Sequence, residues 1–425
     1  MVNDKKKNSE NIYEQITFPK DWDPTSLSDV FDLRRETMVP TGIGNQRYIG
    51  LEHIDSGRMK ISRYGGESEI RSAKNKFYPD DILYGKLRPY LDKSVLADIK
   101  GICSTDILVF KVDKDRILPR YGACLVHTSA FLQYVISTTT GVNHPRTSWS
   151  SIGKFRCSIP KLAEQSIIVH ALFILQQAIA QQEQIITKTK ELKRSLMHRL
   201  FTYGLRGEEL KGTEIGLMPE SWKLTNIGEA YEFTTKPRGI DLSKYKELPF
   251  IPMELISENQ RLLHKYEMRK SFSSGTYVQK GDLVVAKITP SFENGKQGIV
   301  TNIPLDFCYA TTEVWPLHGV DGQSNIEYLH YYLKKSDVRN EIAGKMEGST
   351  GRQRVPRNVL FDAKIPLPSY EEQIEISDIF ISLDEKIDAT ESKKKSLHDL
   401  FKTMLQLLMT GQVRVKDIDF GEINV

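Results

Sequence analysis

The sequence predicts an α+β fold: two pseudo-symmetric globular α/β units, separated by two long helices that lie antiparallel as a coiled coil. Three observations carry the prediction. The chain has 425 residues, too many for one hydrophobic core. Its motifs recur in the same order half a chain apart. Each repeat closes on a long run with neither proline nor glycine.

The repeat is faint but collinear. FPKDW (Phe18–Trp22) returns 200 residues later as MPESW (Met218–Trp222). DDILYGKLRP (Asp80–Pro89) returns at 201 as GDLVVAKITP (Gly281–Pro290), keeping Asp81 with Asp282, Lys86 with Lys287 and Pro89 with Pro290. CSTDILVF (Cys103–Phe110) answers ATTEVWPL (Ala310–Leu317) at 207, and TTGVNHP around Gly141 answers STGRQRV around Gly351 at 210. IPKLAEQ (Ile159–Gln165) answers the longer IPLPSYEEQ (Ile365–Gln373), with the glutamines 208 residues apart. Five matches in one order imply a duplicated unit, each change of offset marking a loop insertion. Within the units, runs such as DILVFKV, DLVVAKI and QGIVTNI, bounded by Gly, Pro, Asn and Asp, read as strands. Helical patches follow at Ala130–Ser137 and Ile326–Lys335.

The runs Ser166–Tyr203 and Ile374–Thr410 are followed by Gly204 and Gly411, where a helix C-terminus places glycine. At 1.5 Å per residue each helix is on the order of 55 Å long, too long to rest on one small domain. A 4-3 spacing selects Ile168, Leu172, Leu175, Ile179, Ile186, Leu196 and Leu200 in the first helix. In the second it selects Ile376, Phe380, Leu383, Ile387, Leu397, Phe401, Met404 and Leu408. Both rows turn polar midway, at Gln182, Thr189 and Lys193 and at Thr390 and Lys394. This spacing makes a seam for helix packing. Because the second helix ends the second repeat, the two can pair antiparallel; the alternative packs each helix on its own domain, as beads on a string. Apolar rows outside the seam (Ile167, Ile174 and Ile185; Ile379, Ile381, Leu400, Leu405 and Leu407) are left for the adjoining domain or for another subunit's helices. Lys188, Lys190, Arg194 and Lys393–Lys395 read as a solvated face.

Composition narrows the function classes. Hydrophobic content of 39% and charged content of 27% suit an ordinary globular protein. The net charge of +4 permits nucleic-acid binding without arguing for it. No apolar run is expected to span a bilayer. The polar start, MVNDKKKNSENIYEQ, lacks an apolar h-region and reads as a flexible tail. Cys103, Cys124, Cys157 and Cys308 are too scattered for a zinc site or a disulfide framework, so a cytoplasmic location with reduced thiols is expected. Phosphate-loop, nucleophile-elbow and His-Glu-x-x-His patterns are missing, as is the Asn-Pro-Pro-Tyr run of an amino-methyltransferase. Asp80 would open a metal-nuclease set, but Glu191-Leu192-Lys193, which would complete it, falls inside a helix. No catalytic residue and no metal ligand is assigned, and a binding protein is expected.

A duplication with antiparallel connectors carries approximate two-fold symmetry, as duplex DNA does. Two diverged readers would address two different half-sites, with the helices acting as a ruler between them. The leading reading loop is GSTGRQRVPRN (Gly348–Asn358), where Arg352, Arg354 and Arg357 suit guanine or phosphate and Gln353 suits adenine. Its counterpart GVNHPRTSWSS (Gly141–Ser151) offers Asn143, His144, Arg146 and Thr147. Lys86 and Arg88 in the first unit and Lys287 and Lys296 in the second stand near strand ends as further DNA contacts. Arg34-Arg35, with Lys236 and Arg238 opposite, would at most touch phosphate. Trp22 and Trp222 read as core residues closing each unit.

These motifs together resemble the specificity (S) subunit of type I restriction-modification systems. FPKDW and MPESW opening the halves, the DDILYGKLRP and GDLVVAKITP strands, GSTGRQRV and the IPLPSYEEQ helix start carry the likeness, which covers nearly the whole chain. It implies target recognition domains at residues 1–165 and 205–373, a central connector helix at 166–204, a C-terminal connector helix at 374–411 and a tail at 412–425. It further implies a non-catalytic subunit that reads a split site in double-stranded DNA and holds no cofactor of its own. The subunit would dock two methyltransferase (M) subunits, which use S-adenosylmethionine to methylate adenine. It would also indirectly recruit restriction (R) subunits, which use ATP and Mg to translocate and cleave DNA. No membrane partner is implied. The terse IPKLAEQ and the first loop, which lacks the STGRQR pattern, depart from the family. The specificity subunit of another two-component restriction-methylation system, and a protein-interaction scaffold that binds no DNA, are the alternatives.

Overall fold

The computed structural model describes residues 17–415 apart from Glu69, Ser271–Ser273 and Thr350. The expected N-terminal tail and residues 416–425 of the C-terminal tail lie outside the described residues. The chain divides into two compact units, residues 1–182 with 393–425 and residues 183–392. The division cuts through both long helices.

In the first unit the working elements are β1 (Asp23–Ser26), β2 (Phe31–Leu33), β3 (Ile82–Gly85), β4 (Ser94–Leu96), β5 (Ile107–Val112) and β6 (Arg156–Ile159). Helices α1 (Pro119–Leu125) and α2 (Ser129–Ser137) precede the long α3 (Leu162–Tyr203). Strands β2, β5, β3 and β4 form an antiparallel sheet in that order. Side chains alternate faces along a strand, and here both faces are buried. Ile82, Tyr84 and Phe110 enter the core under the helices, while Leu83, Ile107 and Val109 enter a second core against a five-stranded mixed sheet. That second sheet holds one parallel pair, Tyr48 opposite Ile102.

The second unit repeats the plan with β7 (Lys223–Asn226), β8 (Tyr231–Phe233), β9 (Leu283–Ala286), β10 (Gln297–Val300), β11 (Val314–Gly319) and β12 (Lys364–Leu367). Helices α4 (Ile326–Lys334) and α5 (Ser336–Ala343) precede the long α6 (Tyr370–Met409). The sheet order β8, β11, β9, β10 matches the first, with Leu262–Leu263 added parallel to β10 as a fifth, edge strand. Leu283 and Val285 face one core and Val284 the other. The second sheet, here four-stranded, again has one parallel pair, Phe250 opposite Tyr309.

The repeated Glu-Gln pair has a structural purpose. Gln165 is fully buried in the first turn of α3; its Oε1 accepts from Leu118 N at 2.8 Å, and its Nε2 donates to Arg116 O and Pro160 O, both at 2.9 Å. Gln373 does the same in α6, accepting from Asn325 N and donating to Gln323 O and Pro368 O. One side chain thus satisfies three buried backbone groups, which otherwise would each cost free energy. The preceding glutamates grip the segments beyond the long helices' C-termini. Glu372 accepts from Leu205 N and from Trp222 Nε1. Glu164 pairs with Arg414, which also holds Asp21.

Both long helices start four residues before the runs assigned from Ser166 and Ile374, because Leu162, Ala163 and Glu164, like Tyr370 and its two glutamates, extend the helix backwards as soon as proline permits. Both stop at a left-handed glycine, Gly204 (φ 61°) and Gly411 (φ 70°). A Cβ on Gly204 would sit 3.0 Å from the Trp222 ring, and one on Gly411 2.4 Å from Pro19. Trp22 and Trp222 are buried in the two cores.

The helices pair antiparallel. In the first unit Ile168, Leu172 and Ile179, early in α3, share a core with Phe401 and Leu408, late in α6, and Leu175, Leu397 and Met404 pack on it. In the second unit Leu200 and Phe201, late in α3, share a core with Ile376 and Phe380, early in α6, and Leu196 and Leu383 pack on it. Ile186 and Ile387 are buried. Lys193 bonds Asp384 at 2.5 Å and Lys190 bonds Glu391 at 2.9 Å, so the beads-on-a-string alternative does not hold. The polar stretch of the seam satisfies itself, since the buried Thr189 and Thr390 hydroxyls donate to Ile185 O and Lys386 O. By length and composition α3 is apolar enough to cross a membrane, with a mean hydropathy of 1.3 over its most apolar window, which corrects the expectation that no segment is. Part of that apolar character goes into the seam. Ile167, Ile174, Ile185 and Leu192 stay exposed on α3, as does Leu400 on α6. Of the other rows left outside the seam, Leu405 is buried in the first core and Ile379 and Ile381 pack on the second.

Replacing Gln373 by Leu should leave three buried backbone groups without partners and lower stability by about 3 kcal/mol, read as a lower urea midpoint. Gln165→Leu should behave alike and the exposed Gln184→Leu should not; equal midpoints for all three would contradict this role.

Candidate nucleic-acid interface

The two loops singled out in the sequence occupy equivalent places. In the first unit Thr140 and Arg146 pair through their backbones (3.0 and 2.9 Å), Thr147 N donates to Lys86 O, and Arg88 N donates to Pro145 O. In the second, Glu347 and Arg354 pair (2.9 and 2.8 Å), Val355 N donates to Lys287 O, and Thr289 N donates to Gln353 O. Each loop is thus stitched to the end of the same central strand, β3 or β9. Each opens on a left-handed glycine, Gly141 (φ 95°) or Gly348 (φ 127°), where a Cβ would crowd His144 O or Arg352 O. Gly141 therefore corresponds to Gly348, and the alignment of Gly141 with Gly351 is corrected.

A carboxylate holds each loop from the neighbouring strand. Arg354 donates from Nε and Nη2 to both oxygens of Glu313, at 2.8 and 2.7 Å. Arg146 Nε donates to Asp106 at 3.2 Å. The bidentate partner holds Glu313 below the usual carboxylate range and raises Arg354. The Nε–Nη2 edge that would grip a guanine is therefore occupied in Arg354. Arg357 lies over the rings of Phe233 and Phe361, at 4.3 and 5.3 Å, an arrangement in which the guanidinium packs on aromatic faces. Lys287 lies 4.0 Å over Trp315, and burial lowers its pKa. Lys296 donates to Met253 O. Thr147 is buried. Arg34 is held by Asp81 and Glu36.

The side chains left at the loop tips differ between the units. Val142 is 98% exposed and is followed by exposed Asn143 and His144. Arg352 is exposed and Gln353 half-buried. Arg88 is exposed, with a left-handed backbone (φ 50°), and Lys86 is half-buried beside it. The signal for Asp106 and Glu313 was present in CSTD and ATTE, where both repeats keep an acid at the same place, but the matched arginines lie 40 and 41 residues away.

The profile of the type I restriction modification DNA specificity domain matches residues 19–191 and again residues 219–398. The chain belongs to that family. The protein assigned as the type I restriction enzyme MjaX specificity subunit of Methanocaldococcus jannaschii is 23% identical over 424 residues, covering 94% of this chain and 95% of that one. The type I restriction enzyme EcoAI specificity subunit of Escherichia coli is 31% identical over 196 residues, 45% of this chain and 33% of that one. Two solved structures share the fold. A chain from work on complex assembly and conformational transition of the type I R-M system superposes with a TM-score of 0.58 at 18% identity, covering 93% of this chain and all of that one. The type I restriction-modification S subunit from M. genitalium superposes at 0.56 and 15% identity, covering 91% and 96%. In this specificity subunit each profile match begins at the Pro-x-x-Trp turn, takes in one loop and ends within a long helix.

Removing the acid that holds a loop should loosen that loop alone. Glu313→Ala should speed tryptic cleavage after Arg352 several-fold in the folded specificity subunit, read by mass spectrometry, and leave cleavage after Arg146 unchanged. An unchanged rate after Arg352 would show that the ion pair does not hold the loop.

Proposed function

We propose that this specificity subunit is the non-catalytic DNA reader of a type I restriction-modification enzyme, recognising a split target with one half-site per repeat. One observation carries the reading: two loops stitched to equivalent strands present unlike tips, Val142, Asn143 and His144 against Arg352 and Gln353. Equivalent placement suits a common mode of approach to the duplex, and unlike side chains suit different bases. Arg352 and Gln353 read bases in the second half-site and Asn143 and His144 in the first. Arg354 and Arg146, engaged with acids, position the loops. Lys86, Arg88, Lys287, Lys296, Arg357 and Thr147 stand behind the tips as phosphate contacts or supports. Residues 1–165 and 205–373 act as the two recognition domains and the helices 166–204 and 374–411 as the spacer.

The exposed row Ile167, Ile174, Ile185 and Leu192 on α3 supports docking of partner helices, which we assign to two methyltransferase subunits, with restriction subunits joining through them. S-adenosylmethionine, ATP and Mg act in those partners. The working location is the cytoplasm, where the DNA is.

Methylome sequencing of a host expressing this chain with its methyltransferase subunits tests the reading. The modified motif should be bipartite, with two unlike halves around a fixed unread spacer; a continuous or palindromic motif would overturn it. Arg352→Ala should weaken binding to the cognate site about tenfold more than to random duplex. Inserting equal lengths in both helices should change the spacer and neither half-site. Exchanging residues 1–165 for those of a relative should replace one half-site only.

A further inference from the structure

The second unit contains a charged cleft that its fold does not require. About 1040 Å³ in volume and lying wholly within that unit, it opens between α3, α6, the 257–261 loop and the corner joining α4 to α5. Four ion pairs line its walls: Lys190 with Glu391, Lys193 with Asp384, Arg261 with Glu327, and Lys335 with Asp337. Besides His198 and His330, the lining outside those pairs holds three cations, Arg194, Lys334 and Arg339, and two carboxylates, Glu258 and Asp388. The Lys334 ammonium donates to two backbone carbonyls, Glu258 O and Gly295 O, both at 2.8 Å, and makes no ion pair among the described residues. Arg339 has a buried Nε with no hydrogen-bond partner. The two cations converge at Gly295, since a Cβ there would stand 2.6 Å from Arg339 Nη1. Burial, with Lys193 and Arg339 nearby, pulls the Lys334 ammonium down to about 7.

The sibling unit shows that these charges are optional. The buried glutamines set the correspondence, with Leu118 standing where Asn325 does. Ala123 then replaces His330, His127 replaces Lys334 and Leu132 replaces Arg339. Leu96 N donates to Met59 O as Ile299 N donates to Arg261 O, so Met59 replaces Arg261. The space there shrinks to about 160 Å³, lined by Met59, Leu96, Cys124 and Leu172 with Lys60, Arg120 and Asp98; Lys60 and Arg120 stack over Phe173, and His127 has Asp92 as a partner at 2.8 Å. Burying cations without counter-charges costs free energy. The second unit bears that cost at Lys334 and Arg339, where the first has His127, paired with Asp92, and Leu132, and an anion entering the cleft would offset it.

We propose that the cleft is a binding site for a phosphate-type anion, held by Lys334 and Arg339, with Lys193 beside them and Arg194 at the rim. A tetrahedral phosphate accepts from a guanidinium and an ammonium that reach it from different elements. The cleft is large enough for a chain of phosphates. The anion is either a free oligophosphate or the phosphodiester backbone of DNA. The site is independent of which bases the loops read.

The test is titration of the full chain with inorganic tripolyphosphate at fixed ionic strength, followed by calorimetry and thermal melting. Saturable binding and a melting temperature raised above that in sodium chloride of equal ionic strength are expected. The double substitution Lys334→Met with Arg339→Gln should weaken binding about tenfold or more, and Lys111→Gln in the other unit should not. Competition with a short random duplex identifies the source: displacement points to backbone phosphate, independent binding to a free anion. Absence of saturable binding, or equal affinity in the double variant, overturns the site. Should that variant fail to fold, an unchanged wild-type melting temperature does so by itself.

Discussion

Ile168 and Leu172, near the start of α3, share a core with Phe401 and Leu408, near the end of α6, while Leu200 and Phe201 meet Ile376 and Phe380 at the other ends. Neither helix is amphipathic toward one domain alone, and helices of this length gain most of their stability from packing rather than propensity. The seam therefore does two jobs at once. It buries the apolar rows that would otherwise face water, and it makes the first unit out of two chain segments far apart in sequence. The first unit contains residues 393–425 as well as 1–182. Folding of either unit is consequently incomplete until both helices are in place.

The repeats secure this arrangement with the same small parts. A buried glutamine in the first turn of each long helix ties it to the residue just before α1 or α4. A left-handed glycine ends each helix against a Pro-x-x-Trp turn, which for Gly411 is the turn at Pro19 near the start of the chain. Arg414 then bonds Asp21 and Glu164, fastening the two ends of the described chain within one unit. The units differ where binding would be read out, at the loop tips and in the cleft. Common scaffolding with divergent surfaces is the mark that a duplication under two different binding demands would leave.

Much of this was legible in the sequence. The repeat, the long helices, their antiparallel seam and the buried tryptophans follow from collinear motifs, from the missing prolines and glycines and from heptad spacing. Other features were not. The parallel pairs Tyr48–Ile102 and Phe250–Tyr309 join strands some fifty residues or more apart, which local patterning does not encode. Arginines in a Gly-flanked loop read as free base readers until Asp106 and Glu313 are found beside two of them, and Arg357 until its aromatic neighbours are. The glutamines looked like part of a helix-start pattern, and only the three-way bonding of their amides shows their purpose. The cleft left no sequence signal because its cations come from α3, α4 and α5.

The central claim, that the long helices run in opposite senses, is tested most directly by chemical crosslinking. The four native cysteines are buried and poor nucleophiles in that setting. With Lys190→Cys and Glu391→Cys, which replace an ion pair at 2.9 Å, a short bis-maleimide should link α3 to α6 within one chain. With Lys190→Cys and Asp399→Cys, which only helices running in the same sense would bring together, it should not. Linking of the second pair and not the first would contradict the account.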